Sequence, residues 1–219
     1  MKAGRVAQAS ADIEQAKRLL CQYSILAWER GLIAAAGGNL SVRLASTDRI
    51  LITATGIALR DVTPETILSV DLQGAVVESQ AGARPSKEQG MHLSAYTRRP
   101  EVGAVVHVHP PHATAFAVHN KALPLVTDGA AARLKHVPCI AYAPSGSPEL
   151  HRFADRAIRE HPEATAFLLK NHGLIAFGSS LPEAFYIADL VEDTAKIALY
   201  SRLVGGESFP LVPDKPDPE

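Results

Sequence analysis

The hydrophobic pattern of this chain changes period again and again, with no linker between the changes. Stretches with apolar residues three and four apart alternate with short β-branched runs, and no Pro/Gly/Ser-rich segment divides them. From about Ser10 to Arg30, Ile13, Ala16, Leu20, Tyr23 and Ala27 form one helical stripe, with Ser10 as its N-cap. A second helix is predicted from Ser86 to Arg98, capped by Ser86 and ended before Pro100. A third runs from Ser147 to Glu160 with Pro148 in its first turn, and a fourth from Leu181 to about Leu203, stopped by Gly205-Gly206. Arg49–Thr53, Ile67–Val77 (broken by a Gln73-Gly74 turn), Val102–Val108, Val137–Tyr142, Ala166–Leu169 and Leu174–Phe177 read as strands. Mixed strands and helices without a linker predict one α/β domain over residues 1–209. The tail from Pro210 to Glu219 carries four prolines, which exclude a helix or a central strand there.

A domain of 219 residues buries roughly 70% of the surface of its unfolded chain, so it needs neither a metal nor a disulfide merely to fold. Cys21 and Cys139 lie far apart and make no CxxC pair. That usage fits a reducing compartment, and a cytoplasmic location is expected. The N-terminus has no apolar core of a secretory signal, and no apolar run approaches the roughly 18 residues of a membrane span. Lys and Arg number 22 against 23 Asp and Glu, a net charge of −1. No global field is available to hold nucleic acid or an anionic membrane.

The chemistry lies in the histidines. In Val105-Val106-His107-Val108-His109-Pro110, residues two apart on a strand face the same way. His107 and His109 therefore converge while Val106 and Val108 point to the other side. Neutral imidazoles presented together suit a borderline divalent cation. Asn171-His172-Gly173 sits between two apolar runs, where Asn and Gly tolerate a tight turn; it presents a third imidazole. Glu88, in Arg84-Pro85-Ser86-Lys87-Glu88, falls in the first turn of a predicted helix, where the helix dipole favours its ionised form. It is a candidate fourth ligand or a base. His92, four residues on, shares its helix face and could contact that carboxylate; a packing or supporting role is the expectation. Ala36-Gly37-Gly38-Asn39-Leu40-Ser41 and Thr53-Ala54-Thr55-Gly56 read as turns whose backbone N–H groups can approach an anion, with Ser86 and Lys87 adding a hydroxyl and a cation. Neither matches a P-loop or a dinucleotide fingerprint. Trp28, Tyr23, Phe185 and Tyr186 are assigned to helix packing, and His119, His136, His151 and His161 to surface or packing. His112 is the one further histidine that could line the site.

Taken in order, Gly-Gly-Asn-Leu-Ser at 37–41, Thr-Ala-Thr-Gly at 53–56, Pro-Ser-Lys-Glu-x3-His-x3-Tyr-x2-Arg-Pro at 85–100, Ala-Val-Val-His-Val-His at 104–109 and Lys-Asn-His-Gly-Leu at 170–174 resemble the class II aldolase/adducin family, most closely its fuculose-phosphate aldolase-like branch. The resemblance runs from the first helix to about Gly205. It implies an α/β/α domain with a central, mainly antiparallel sheet flanked by helices, assembled as a C4 homotetramer with sites between subunits. It implies one divalent metal per subunit, zinc or else manganese or cobalt, held by His107, His109 and His172. Glu88 is then a ligand in the empty enzyme and the acid/base with substrate present. Gly38, Asn39, Thr55, Gly56, Ser86 and Lys87 match the positions that hold the substrate phosphate.

The implied reaction is cleavage of a ketose 1-phosphate to dihydroxyacetone phosphate and an aldehyde, the metal offsetting the charge of an enediolate. Three departures bear on the substrate. Lys87 stands where fuculose-phosphate aldolases have a second serine, and Pro-Ser-Lys-Glu also resembles the family's phosphotetronate decarboxylases. The tyrosine expected after the His-Val-His motif is missing, with Asp128 near its position. The C-terminal tail has no tyrosine. Candidate substrates are fuculose 1-phosphate, 5-deoxyribulose 1-phosphate and methylthioribulose 1-phosphate. Decarboxylation of a phosphorylated 3-keto sugar acid or a hydroxy-aromatic acid is the alternative. A non-catalytic, adducin-like binding module ranks third, since Glu88 and all three histidines are intact. A 4-epimerase ranks lower still, because that branch has Asp where this chain has Glu88.

Overall fold

The computed structural model describes residues 2–44, 47, 49–80 and 82–205. Among these residues eight strands form one sheet: β1 (Asn39–Leu44), β2 (Arg49–Thr53), β3 (Ile67–Val70), β4 (Val76–Glu78), β5 (Ala104–Val108), β6 (Cys139–Ile140), β7 (Ala166–Leu169) and β8 (Gly173–Gly178). Their order is β4-β3-β2-β1-β5-β8-β7-β6, antiparallel throughout except for the β6–β7 pair. Six α-helices cover it: α1 (Lys2–Glu29), α2 (Gln89–Arg98), α3 (Pro111–Val118), α4 (Asp128–Leu134), α5 (Pro148–Glu160) and α6 (Leu181–Gly205).

The strands are apolar on both faces because helices pack on both. One core joins Leu40, Leu44, Val106, Val108, Leu168, Leu174 and Ala176 to Leu20, Ala27, Phe116, Phe185 and Val191 of α1, α3 and α6. The other joins Ile50, Ile52, Val105, Phe167, Ile175 and Phe177 to Met91, Ala95, Tyr96, Leu150, Ala154 and Ile158 of α2 and α5. The split follows strand parity: Val106 and Val108 go to the first core, while Val105, and with it His107, face α2 and α5. This is the expected α/β/α domain with its mainly antiparallel sheet.

Local expectations fare unevenly. Ser147 caps α5 as predicted, accepting the Leu150 N–H at 3.1 Å. The Gln73-Gly74 turn separates β3 from β4, with Asp71 accepting the backbone N–H groups of Gln73 and Ala75 and Gly74 at φ +86°. Ser86 does not cap α2. Its hydroxyl accepts the Glu88 N–H two residues ahead of the helix, and Glu88 itself occupies the N-cap position. Asn39-Leu40-Ser41 is the start of β1 rather than a turn. Helices α3 and α4 were not foreseen: α3 begins at Pro111, a residue type that can end a strand and equally suits a first helical turn. The Pro210–Glu219 tail lies outside the described residues.

Candidate metal centre and cleft

Three neighbouring strands meet at the site. Asn39 of β1 pairs with His107 of β5, which pairs across its other edge with Ile175 of β8. His109 lies one residue past the end of β5. His172 sits at the β7–β8 hairpin, where Asn171 takes φ +58°, as the Asn-His-Gly pattern predicted. The three rings stand 4.8 to 4.9 Å apart, centre to centre. Glu88 arrives from the opposite layer, at the N-terminus of α2. Its Oε2 lies 3.0 Å from His107 Nε2 and its Oε1 3.0 Å from His172 Nε2. One ligand atom from each of Glu88, His107, His109 and His172 falls within 4.8 Å of the others.

The donor chemistry fits a cation. His107 Nδ1 lies 2.9 Å from the Leu174 carbonyl, an acceptor only, so Nδ1 carries a proton and Nε2 is the ring nitrogen turned to the cluster. His107 Nε2 lies 3.1 Å from His109 Nε2 and 3.0 Å from a Glu88 carboxylate oxygen. A shared proton satisfies each of these contacts in the metal-free cluster; with those protons released, the four donor atoms would turn lone pairs toward one another, an arrangement suited to holding a divalent ion. Burial, with the charges of His107 and His172, pushes the His109 pKa down to about 3, which keeps its imidazole neutral. Burial alone would raise the Glu88 carboxyl; the His107 and His172 rings outweigh it and hold Glu88 well below the usual carboxylate range. Backbone economy also protects the cluster. A Cβ on Gly37 would lie 2.9 Å from the His109 ring, and one on Gly38, at φ +74°, 2.9 Å from the His107 carbonyl.

A cleft of about 260 Å³ opens beside the cluster. Every expected phosphate-site residue lines it: Gly38 and Asn39, Thr55 and Gly56, Ser86 and Lys87, with Glu88, His109 and His172 at the inner end. The second and third segments are joined by one short zip, a bridge between Ala54 and Pro85 and a Thr55 N–H to Arg84 carbonyl bond of 2.9 Å. Lys87 is exposed, so its charge stays available to an anion in the cleft.

One neighbour was not anticipated. Ser145, in the loop before α5, lines the cleft and donates to Glu88 Oε1 at 2.7 Å. No motif marked it. His151, assigned to surface or packing, is half-buried and packs its ring against Gly90 in the first turn of α2, where a Cβ would collide with it. Burial holds its pKa below the ordinary range, partly offset by the Lys87 backbone. His92 is fully buried but does not touch Glu88; it bonds Asn39, whose Nδ2 donates to Glu88 Oε2 at 3.1 Å. His112 does not line the cleft. Its Nδ1 lies 2.6 Å from Glu192 of α6, which also accepts the backbone N–H groups of His112 and Ala113 at the start of α3. Asp128 is an exposed residue opening α4. Tyr23 and Phe185 pack edge to face, and Arg60 covers Trp28, as packing roles require. No helix among the described residues is long and apolar enough to cross a membrane.

Comparison with known proteins agrees with this architecture. Residues 18–199 match the Class II Aldolase and Adducin N-terminal domain. The chain is 37% identical over 168 residues to a 5-methylthioribulose-1-phosphate/5-deoxyribulose-1-phosphate aldolase of Escherichia coli O45:K1, covering 76% of this chain and 75% of that protein. It is 34% identical over 192 residues to a 3-oxo-tetronate 4-phosphate decarboxylase of Haemophilus influenzae, covering 85% and 87%. A solved L-fuculose 1-phosphate aldolase superimposes with a TM-score of 0.83 at 33% identity, over 91% of each chain.

Proposed function

The chain belongs to the class II aldolase and adducin family, and on that premise we propose that it cleaves a ketose 1-phosphate to dihydroxyacetone phosphate and an aldehyde. The candidate substrates are of the fuculose 1-phosphate, 5-deoxyribulose 1-phosphate and methylthioribulose 1-phosphate types. One observation carries the reading: a single cleft has a cation-seeking cluster at its inner end and glycine turns with Ser86 and Lys87 along its wall. A divalent ion held by His107, His109 and His172, zinc first and manganese or cobalt otherwise, would supply the Lewis acid that an enediolate needs. Glu88 would complete the ligand set before substrate enters and serve as base once substrate is bound.

The chain's own groups do the rest. Backbone N–H groups around Gly38 and Gly56, the hydroxyls of Thr55 and Ser86, the Asn39 amide and the Lys87 ammonium would fix the phosphate and so orient the bond to be broken. As the carbon–carbon bond breaks, Glu88 would take the proton of the hydroxyl on the carbon that becomes the aldehyde, then deliver it to the carbon that becomes the hydroxymethyl carbon of dihydroxyacetone phosphate. Ser145 would steady its other oxygen. The assembly proposed is a cytoplasmic C4 homotetramer with sites between subunits, acting on small sugar phosphates rather than nucleic acid or membrane.

A second reading is decarboxylation of a phosphorylated 3-keto sugar acid. It is favoured by Lys87 within Pro-Ser-Lys-Glu and by the similarity to a protein named as such a decarboxylase. The deciding experiment incubates zinc-reconstituted protein with the three ketose 1-phosphates and with a 3-oxo sugar-acid phosphate, measuring dihydroxyacetone phosphate and carbon dioxide. Dihydroxyacetone phosphate from a ketose, abolished by Glu88→Gln with zinc retained, supports the aldolase. Carbon dioxide alone supports the decarboxylase, and full activity of Glu88→Gln refutes the role of Glu88.

A further inference from the structure

Helix α2 carries a second line of polar groups that the chemistry above leaves unused. Glu88, His92 and Tyr96 are four residues apart and lie along one side of the helix entry and its first turns. Beneath them, Asn39 and Ser41 are two apart on β1 and pair with His107 and Val105, so they share the face that α2 covers. The two rows interlock. Ser41 Oγ lies 2.7 Å from Tyr96 Oη and 2.7 Å from His92 Nδ1, His92 Nε2 lies 2.5 Å from Asn39 Oδ1, and Asn39 Nδ2 lies 3.1 Å from Glu88 Oε2. All five groups are buried, His92 and Ser41 completely.

The proton positions in this row follow from one another. An ionised carboxylate only accepts, so the NH2 end of the Asn39 amide must face Glu88 and its oxygen must face His92. An amide oxygen only accepts, so His92 carries its proton on Nε2. A neutral ring then presents a lone pair at Nδ1, which takes the Ser41 hydroxyl proton, and the Ser41 oxygen accepts from Tyr96. Burial raises the Tyr96 hydroxyl above its ordinary range, so it remains a donor. Reversing any one bond would leave two like atoms facing each other in a buried site, where an unsatisfied polar group is costly.

We propose that His92 is a positioning residue for Glu88: Tyr96 and Ser41 lock its Nε2–H tautomer, and that proton fixes the Asn39 amide so that its NH2 end holds the carboxylate in place. This deepens the assignment of Glu88 as the base and rests on it for its kinetic consequence. Asn39 thereby serves the base as well as lining the cleft, and Ser41, His92 and Tyr96 act at one, two and three removes without touching substrate.

Two measurements test it. In the zinc-loaded protein labelled with 15N-histidine, the His92 resonances, identified by their absence in His92→Gln, should report a proton on Nε2 that exchanges slowly. A proton on Nδ1, or on both nitrogens at neutral pH, overturns the proposal, whatever the enzyme's activity. In steady-state kinetics, His92→Phe should lower kcat about 10- to 100-fold with KM within about threefold and zinc content unchanged, as expected for a misplaced base. His92→Gln, which keeps a donor near the Nε2 position, should recover most of that loss. In an Asn39→Ala background, His92→Phe should cost no more than about twofold further, because its route to Glu88 is already cut. Additive losses, or equal losses in the Phe and Gln variants, overturn the proposal. Ser41→Ala, which removes a single oxygen, repeats the kinetic test should the phenylalanine variant not fold. An active Glu88→Gln enzyme would defeat the assignment of the base while leaving the tautomer measurement to judge the positioning.

Discussion

Acidifying the metal-free protein from pH 8 to pH 5 exposes the cost of keeping His92 neutral. The ring is fully buried, its Nδ1 is filled by the Ser41 hydroxyl, and its Nε2 proton is committed to Asn39. Burial, with the charge of His107, pushes its pKa down to about 3, against an ordinary value of 6.5. Between those values the unfolded chain binds a proton that the folded one refuses, so stability rises with pH across that window. The stabilisation is complete above pH 6.5 and is lost progressively as pH falls toward 3. At pH 5 the loss is RT ln(1 + 10^1.5), about 2 kcal/mol, and any folded pKa well below 5 gives the same figure. His92→Gln cannot titrate. Its missing bond to Ser41 lowers stability equally at both pH values and cancels from the difference. Urea unfolding of both proteins, stripped of metal, at pH 8 and pH 5 should therefore find the wild type losing about 2 kcal/mol more than the variant. Equal losses, within about 0.5 kcal/mol, would refute the reasoning, since the uncertainty of such cycles is about that size.

Other outcomes follow from particular contacts. Gly38→Ala places a Cβ at φ +74° and 2.9 Å from the His107 carbonyl; thermal and urea unfolding should register a loss of about 1 to 3 kcal/mol. Gly37→Ala drives a methyl into the His109 ring, and metal analysis should find zinc occupancy reduced although no ligand has changed. Ser145→Ala removes the donor on Glu88 Oε1 and leaves a buried carboxylate oxygen less satisfied. A fall in kcat of about tenfold with zinc retained is expected, and an unchanged kcat would reduce Ser145 to a bystander.

The sequence was most informative where chemistry depends on backbone period. Strand parity alone sends His107 and His109 to one side, and the hairpin grammar of Asn171-His172-Gly173 delivers the third imidazole; all three rings meet as expected. Five short motifs in order were enough to identify the family and its α/β/α architecture. Pairings between distant segments were less legible. Ser145 reaches Glu88 across 57 positions through a loop of ordinary composition, and His151 reaches α2 only because α5 packs beside it. The relation of His92 to Glu88 was visible as helical spacing, yet the group between them, Asn39, belongs to a strand that was read as a turn. Helix α3 was hidden because Pro110-Pro111 ends a strand as readily as it begins a helix. His112 was drawn toward the site by proximity in sequence, whereas the chain turns there and gives it to Glu192.

The central claim is that Glu88, His107, His109 and His172 form one divalent-cation site. Metal analysis of purified protein after zinc reconstitution and removal of loosely bound ion tests it most directly. The account predicts about one zinc per chain in the wild type, nearly the same in Glu88→Gln, and little in His107→Ala or His172→Ala, since a catalytic zinc needs about three protein ligands. Folded protein that retains less than about a tenth of an equivalent, or equal occupancy in the histidine variants, would contradict it.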